Sequence, residues 1–116
     1  MIDFHSHTFY SDGELVPAEQ ARRAEVQGVD VVGITDHADG SNVEDAVKRV
    51  LDAKETASIR VLAGVEVTHV PPDNFSSVVE RARDAGADIV IAHGETTAEP
   101  VTEGTNRAAI EAGVDI

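Results

Sequence analysis

Ala24-Glu25-Val26-Gln27-Gly28-Val29-Asp30-Val31, running on through Val32-Gly33-Ile34-Thr35 to Asp36-His37, is the stretch on which the fold of this chain turns. Its skeleton, Ala-x-x-x-Gly-x-Asp followed by Val or Ile, returns at Ala82–Ile89 and again at Ala109–Ile116. Each copy reads as a helix end, a capping glycine and the entry into a strand. Val29 to Thr35 is almost unbroken apolar sequence, the pattern of a strand covered on both faces. The first two copies lead to His37 and His93 at the far ends of their strands, while the third stops where its own strand should begin. The repeat predicts strand–helix units built in series, in a chain cut partway through that series.

Working outward, Met1 to His7 is predicted as the first strand, followed by a turn through Ser11-Asp12-Gly13. A helix starts near Pro17, a residue suited to a first helical position, and closes at Gly28. Val43, Ala46, Val47, Val50 and Leu51 form the stripe of an amphipathic helix. Ile59 to Val67 is the third strand. Pro71-Pro72 breaks the chain, and Phe75, Val78, Val79, Ala82 and Ala85 make a second stripe ending at Gly86. Asp88 to His93 is the fourth strand, and a last helix lies around Asn106 to Ala112. Such alternation implies an α/β fold with a parallel sheet and right-handed crossovers.

At 116 residues the chain forms one domain at most. It has no cysteine, which excludes disulfides and thiol chemistry. No apolar run approaches membrane-spanning length and no basic-then-apolar leader opens the chain, so a cytoplasmic location with no membrane partner is expected. Twenty-two acids face nine bases, a formal charge of -13. Direct nucleic-acid binding is disfavoured by that balance, because phosphate neutralisation needs clustered Lys and Arg.

The chemistry gathers at the C-terminal ends of the predicted strands, where barrels of parallel strands assemble their active sites. His5 and His7 are two apart on a strand and point to one face. Asp36-His37 ends the second strand, Glu66 interrupts the third between Val65 and Val67, and His93 ends the fourth. Imidazole with carboxylate is a ligand set for zinc, manganese or iron. A lone carboxylate at Glu66 would be costly to bury without a cation. His5, His7, Asp12, His37, Glu66 and His93 are therefore the candidate metal ligands. Asp12 reads equally as a turn residue before Gly13. Asp36 reads as a group orienting an imidazole, and His69 as a substrate contact or loop residue. Asp3 and Asp39 read as strand-start and loop residues, and Arg107 as a surface arginine.

Four motifs in order carry a family resemblance: Asp3-Phe4-His5-Ser6-His7-Thr8 with Ser11-Asp12-Gly13, Ile34-Thr35-Asp36-His37, Gly64-Val65-Glu66 and Ile91-Ala92-His93-Gly94. The chain resembles the N-terminal half of the polymerase and histidinol phosphatase (PHP) family. That resemblance implies a distorted seven-stranded β/α barrel, with about four βα units present in residues 1–116. It implies up to three divalent metal ions, with His5, His7 and Glu66 on one, Glu66 and His93 on a second, and Asp12 and His37 on a third. Ligands that the family takes from later strands do not occur here. The missing half of the barrel, or self-association, is therefore expected to complete the structure.

The function expected on this basis is metal-dependent hydrolysis of a small phosphomonoester by metal-activated water, histidinol-phosphatase-like. Two alternatives stand beside it. One is a metal-binding or assembly fragment without turnover; the other is an amidohydrolase-type C–N hydrolase.

Overall fold

Gly28, Gly86 and Gly113 take left-handed φ angles of 82°, 102° and 75°, a region open to glycine at little cost. These are the three glycines of the sequence repeat: Gly28 and Gly86 turn the chain from the end of a helix into the next strand, and Gly113 turns it from α4 into Val114–Ile116, which lies outside any strand. The computed structural model, which describes residues 1–116, is built from such turns. Its elements are β1 (Ile2–Ser6), α1 (Pro17–Val26), β2 (Val31–Ile34), β3 (His37–Ala38), α2 (Val43–Lys54), β4 (Arg60–Val67), α3 (Pro72–Asp84), β5 (Ile89–Ala92) and α4 (Thr105–Ala112). Pro17 and Pro72 each open a helix, where a missing N–H costs nothing.

All strand pairs are parallel. β1 lies beside β2, β2 and β3 lie along one edge of β4, and β5 lies along the other. β2 and β3 are one strand interrupted at Thr35-Asp36: Ile34 faces Ala63, and three residues further along each strand His37 faces Glu66. Spatial order thus follows chain order without reversal. Helices α1 to α4 also contact one another in chain order. A sheet and a helical layer that both progress in sequence form the wall of a (β/α) barrel, because a doubly wound sheet would reverse at a switch point.

The core fills the space between sheet and helices. Val43 and Val47 of α2, Val65 and Val67 of β4, and Phe75 of α3 are fully buried. Each such side chain contributes about 1.5–3 kcal/mol through burial. The other face of the sheet is open at its base, where Phe4, Leu62, Ile89 and Ile116 line a shallow hollow. No helix is long and apolar enough to cross a membrane.

Three features depart from the sequence reading. First, the strands are shorter: β1 ends at Ser6 and β2 begins at Val31, because Val29 and Asp30 are spent on the turn from α1. Second, the register of β1 slips between Asp3 and Ser6, a bulge that periodicity does not announce. Gly33 stands opposite, where a Cβ would lie 2.4 Å from the Phe4 carbonyl oxygen. Third, the aspartate of each repeat is a register clamp. Asp88 donates its N–H to the Ala63 carbonyl at 2.7 Å and its carboxylate accepts the Ala63 N–H at 2.9 Å. Asp115 does the same with Val90, both bonds at 2.8 Å. Asp30 makes the corresponding pair with the carbonyl and amino group of Met1.

At the interruption between β2 and β3, the buried Asp36 turns its carboxylate to the segment after β1. It accepts from the Thr8 N–H at 2.7 Å, the Thr8 hydroxyl at 2.6 Å and the Ser11 hydroxyl at 2.6 Å. Replacing Asp36 with Ala strands a buried N–H and two hydroxyls, and is expected to cost about 2–3 kcal/mol in urea denaturation.

Asp88 gives a pH-dependent counterpart. Burial pushes its carboxyl up, but the Lys54 ammonium, the Ala63 N–H and Arg60 together hold it below the usual carboxylate range. A depressed folded-state value means the stabilisation is complete above the unfolded value of about 3.9 and is lost as pH falls through the folded value. With 35% of the side chain exposed, the effect is modest. Asp88→Asn should lose about 1 kcal/mol at neutral pH, and its melting curve should converge with that of the parent chain in acid.

Candidate metal centre

Strand geometry decides where Glu66 points. Val65 and Val67 turn toward the helices and are fully buried, so Glu66 between them faces the opposite side of the sheet. Its side chain is only 7% exposed. An isolated carboxylate in such a place carries a desolvation cost of several kcal/mol. Three imidazoles answer it, all at the same oxygen, Oε2: His5 Nε2 at 3.1 Å, His7 Nε2 at 3.1 Å and His37 Nδ1 at 3.3 Å.

His5 and His7 flank the end of β1, with ring centroids 4.9 Å apart and their Nε2 atoms separated by 2.9 Å. His37 comes from β3, and its ring lies 4.4 Å from that of His7. Asp12 arrives from the loop after β1 and reaches His7 Nδ1 at 3.1 Å and His37 Nε2 at 3.3 Å. Burial, followed by the neighbouring His37, lowers the His7 pKa against the opposing pull of Asp12 and Glu66. The ring is thereby biased toward the neutral form that ligates metals. Burial pushes the Asp12 carboxyl up slightly, but His7 and His37 outweigh it and hold the group below its usual range.

Two sets bring their ligand atoms within 4.8 Å of one another: His5, His7 and Glu66, and His7, Asp12 and His37. The proton count within them favours a cation. The Thr68 hydroxyl gives its one hydrogen to the Glu66 carbonyl at 2.9 Å, so toward His37 Nδ1, 2.7 Å away, it accepts. That hydroxyl favours a proton on His37 Nδ1, while His37 Nε2 lies 3.3 Å from the Asp12 carboxylate. Only one hydrogen fits between the facing Nε2 atoms of His5 and His7. A divalent metal ion fits either set, and His7, common to both, has one lone pair to give.

Asp36 touches no imidazole. It acts on the site through Ser11, whose hydroxyl also lies 3.2 Å from His7 Nδ1. His93 stands apart from both sets: its ring lies 5.9 Å from that of His37, and its Nε2 lies 3.2 Å from Glu99. His69, at φ 54°, stacks on His93 with centroids 5.9 Å apart and reaches the same Glu99 oxygen at 3.4 Å. Asp3 accepts the His5 N–H, Asp39 caps the turn before α2 through Ser41, and Arg107 is exposed on α4. Glu99 and Thr68 escape a reading of the sequence. Glu99 lies in an irregular segment without periodicity, and Thr68 looks like any strand-end threonine; only the fold sets them beside imidazoles.

The comparisons agree with this geometry. A family model described as "PHP domain" matches residues 3–111. An uncharacterized protein of Methanocaldococcus jannaschii is 48% identical over 121 residues, an alignment covering 99% of this chain and 56% of that protein. A 5'-3' exoribonuclease of Haemophilus influenzae is 38% identical over 66 residues, covering 57% of this chain and 23% of that enzyme. The chain thus spans about half the length of the first relative and about a quarter of the second. On the match across 3–111 and the histidine and carboxylate rim that it contains, this chain belongs to the PHP domain family of metal-dependent, generally hydrolytic domains.

Proposed function

We propose that the chain supplies the metal-binding rim of a phosphoesterase acting on a small phosphorylated substrate. The observation that carries this reading is the convergence of three imidazoles on the one buried carboxylate oxygen of Glu66, with Asp12 closing a second ligand set beside it. Bound divalent ions supply a water acidified toward neutral pH and positive charge for phosphate oxygens.

The chain's own residues bind and orient. His5, His7 and Glu66 would hold one ion, and Asp12 with His37 would hold another. Asp36 fixes Ser11 and through it the His7 ring, while Thr68 holds the His37 ring at Nδ1. A polar hollow of about 230 Å³ opens beside His37, lined by Asn42, Thr68 and His69 among others, and offers room for a small polar substrate. Asp12, Glu66 and Glu99 pair only with imidazoles, and no Lys or Arg is committed to them. Positive charge for an anionic substrate must then come from metal. The -13 charge argues for a small substrate over a polyanion held along its backbone. The name of the Haemophilus relative favours a phosphoester over a C–N bond.

In the protein as encoded, phosphate release from a model monoester should vanish with a chelator and return with manganese or zinc. A metal-independent rate, or turnover of cyclic amides with none of phosphoesters, would sink the proposal. Glu66→Gln should lower zinc affinity on the order of 100-fold or more, read by calorimetry, while far-ultraviolet circular dichroism stays unchanged.

A further inference from the structure

The largest cavity of the molecule lies outside both ligand sets. It measures about 430 Å³, within the range of small-molecule sites, and sits between the loop joining β3 to α2 and the first half of α3. Asp39 and His69 border it and also border the hollow beside His37, so the two spaces adjoin across these residues. A substrate with its phosphate at the metal centre thus has a place ready for the rest of its body.

Both walls of the cavity are fixed. On the loop side, Asp39 Oδ1 accepts the Ser41 N–H at 2.7 Å and the Ser41 hydroxyl, while the Asp39 N–H bonds Asn42 Oδ1 at 2.9 Å. Arg81 of α3 reaches across and grips the same loop. Its Nε and one terminal nitrogen donate to the two Glu44 oxygens at 2.6 and 2.7 Å, and that terminal nitrogen also donates to the Gly40 carbonyl at 3.0 Å. On the other side the chain leaves β4 through His69, whose φ of 54° is a left-handed angle that a non-glycine residue holds at a cost. Strain of this kind gathers at ligand clamps, and here it sets His69 between the two spaces.

The lining selects a class of ligand. Its two charged groups, Asp39 and Arg81, have opposite signs, and each is already answered, by Ser41 and by Glu44. A second phosphate finds no uncommitted cation there, and an ammonium finds a carboxylate already balanced. Val70 and Val78 are buried in the core and form no platform for an aromatic ring, and the His69 ring is stacked on His93 at an interplanar angle of 23°. What remains is a hydroxyl and amide set: Ser41 from the loop, with Asn74 and Ser77 exposed one turn apart on α3. Such groups both give and accept hydrogen bonds, the complement of alcohol hydroxyls.

We propose that this cavity is the subsite for an uncharged, hydroxyl-rich leaving group, so that the substrate is the phosphomonoester of a polyol or sugar, with Asn74 and Ser77 as specificity-determining residues. This rests on the phosphoesterase reading above and extends it from the phosphate to the alcohol it esterifies. Hydrolysis joins a water oxygen to phosphorus and breaks the P–O bond to that alcohol, which leaves with a proton through the cavity.

The test uses the protein as encoded, with manganese, and compares sorbitol 6-phosphate with hexyl, 6-aminohexyl and benzyl phosphates. The value of kcat/KM should be about 10-fold or more higher for the sorbitol ester, the effect of one or two hydrogen bonds. Asn74→Ala combined with Ser77→Ala should bring the sorbitol and hexyl esters close together, mainly by raising KM for the former. Glu80→Ala, at an exposed position on the same helix, should leave the preference intact. Equal rates, or a preference for the aminohexyl or benzyl ester, overturn the proposal, as does a double variant indistinguishable from Glu80→Ala. Binding gives an arm without turnover: sorbitol 6-phosphate should move the amide NMR signals of Gly40, Ser41, Asn74 and Ser77. Those movements in a protein that hydrolyses no phosphoester defeat the hydrolase reading and leave the subsite standing. Hydrolysis of the sorbitol ester without them defeats the subsite alone.

Discussion

A carboxylate on a central strand must be neutralised where it stands, because it has nowhere to swing. Glu66 is flanked by β3 on one side and β5 on the other, and its backbone is locked into both ladders. Two residues of the same strand, Val65 and Val67, anchor the opposite face in the core. The compensating groups therefore have to come to Glu66, and the irregularities of the sheet bring them. The slip in β1 delivers His5 and His7 at its end, and the interruption of β2 frees Asp36 to hold the segment carrying Ser11 and Asp12. Much of what departs from an ideal parallel sheet lies within reach of this one oxygen.

The molecule also separates its charges by end. Many cationic side chains are occupied with carboxylates outside the candidate ligand sets: Lys54 with Asp88, Arg83 with Asp115, Arg81 with Glu44, Arg23 with Glu19 and Lys48 with Asp52. The first two reinforce clamps at the starts of strands. Those pairs are mostly exposed and individually add little to stability. Their effect is to leave the two ligand sets furnished with imidazole and carboxylate, a surface that gains affinity for anions when cations occupy it.

Much of this was legible in the sequence. The repeated glycine and the apolar run after it announced parallel strands alternating with helices, and strand alternation placed His5 with His7 and set Glu66 against Val65 and Val67. What was not legible depends on contacts between distant segments. The bulge in β1 has no glycine or proline of its own; its enabling residue is Gly33, on the next strand. The break at Thr35-Asp36 reads as ordinary strand continuation until the partners of Asp36, Thr8 and Ser11, are seen. Glu99 is six residues from His93 in an aperiodic segment, and its meeting with His69 is purely tertiary. The aspartates of the repeat looked like strand-entry residues, and their hold on the preceding strand required the sheet to be assembled before it could be recognised.

Those aspartates have a temporal consequence. Each clamp reaches backward along the chain: Asp30 to Met1, Asp88 to Ala63, Asp115 to Val90. A polypeptide emerging amino-terminus first always has the anchor of its newest strand already outside the ribosome. Every unit can therefore fix its alignment against its predecessor without waiting for anything downstream. Alignment is thus fixed in the direction in which the chain is synthesised, each new unit adding to the edge of the strand before it, while the outer edge of β1 stays unpaired.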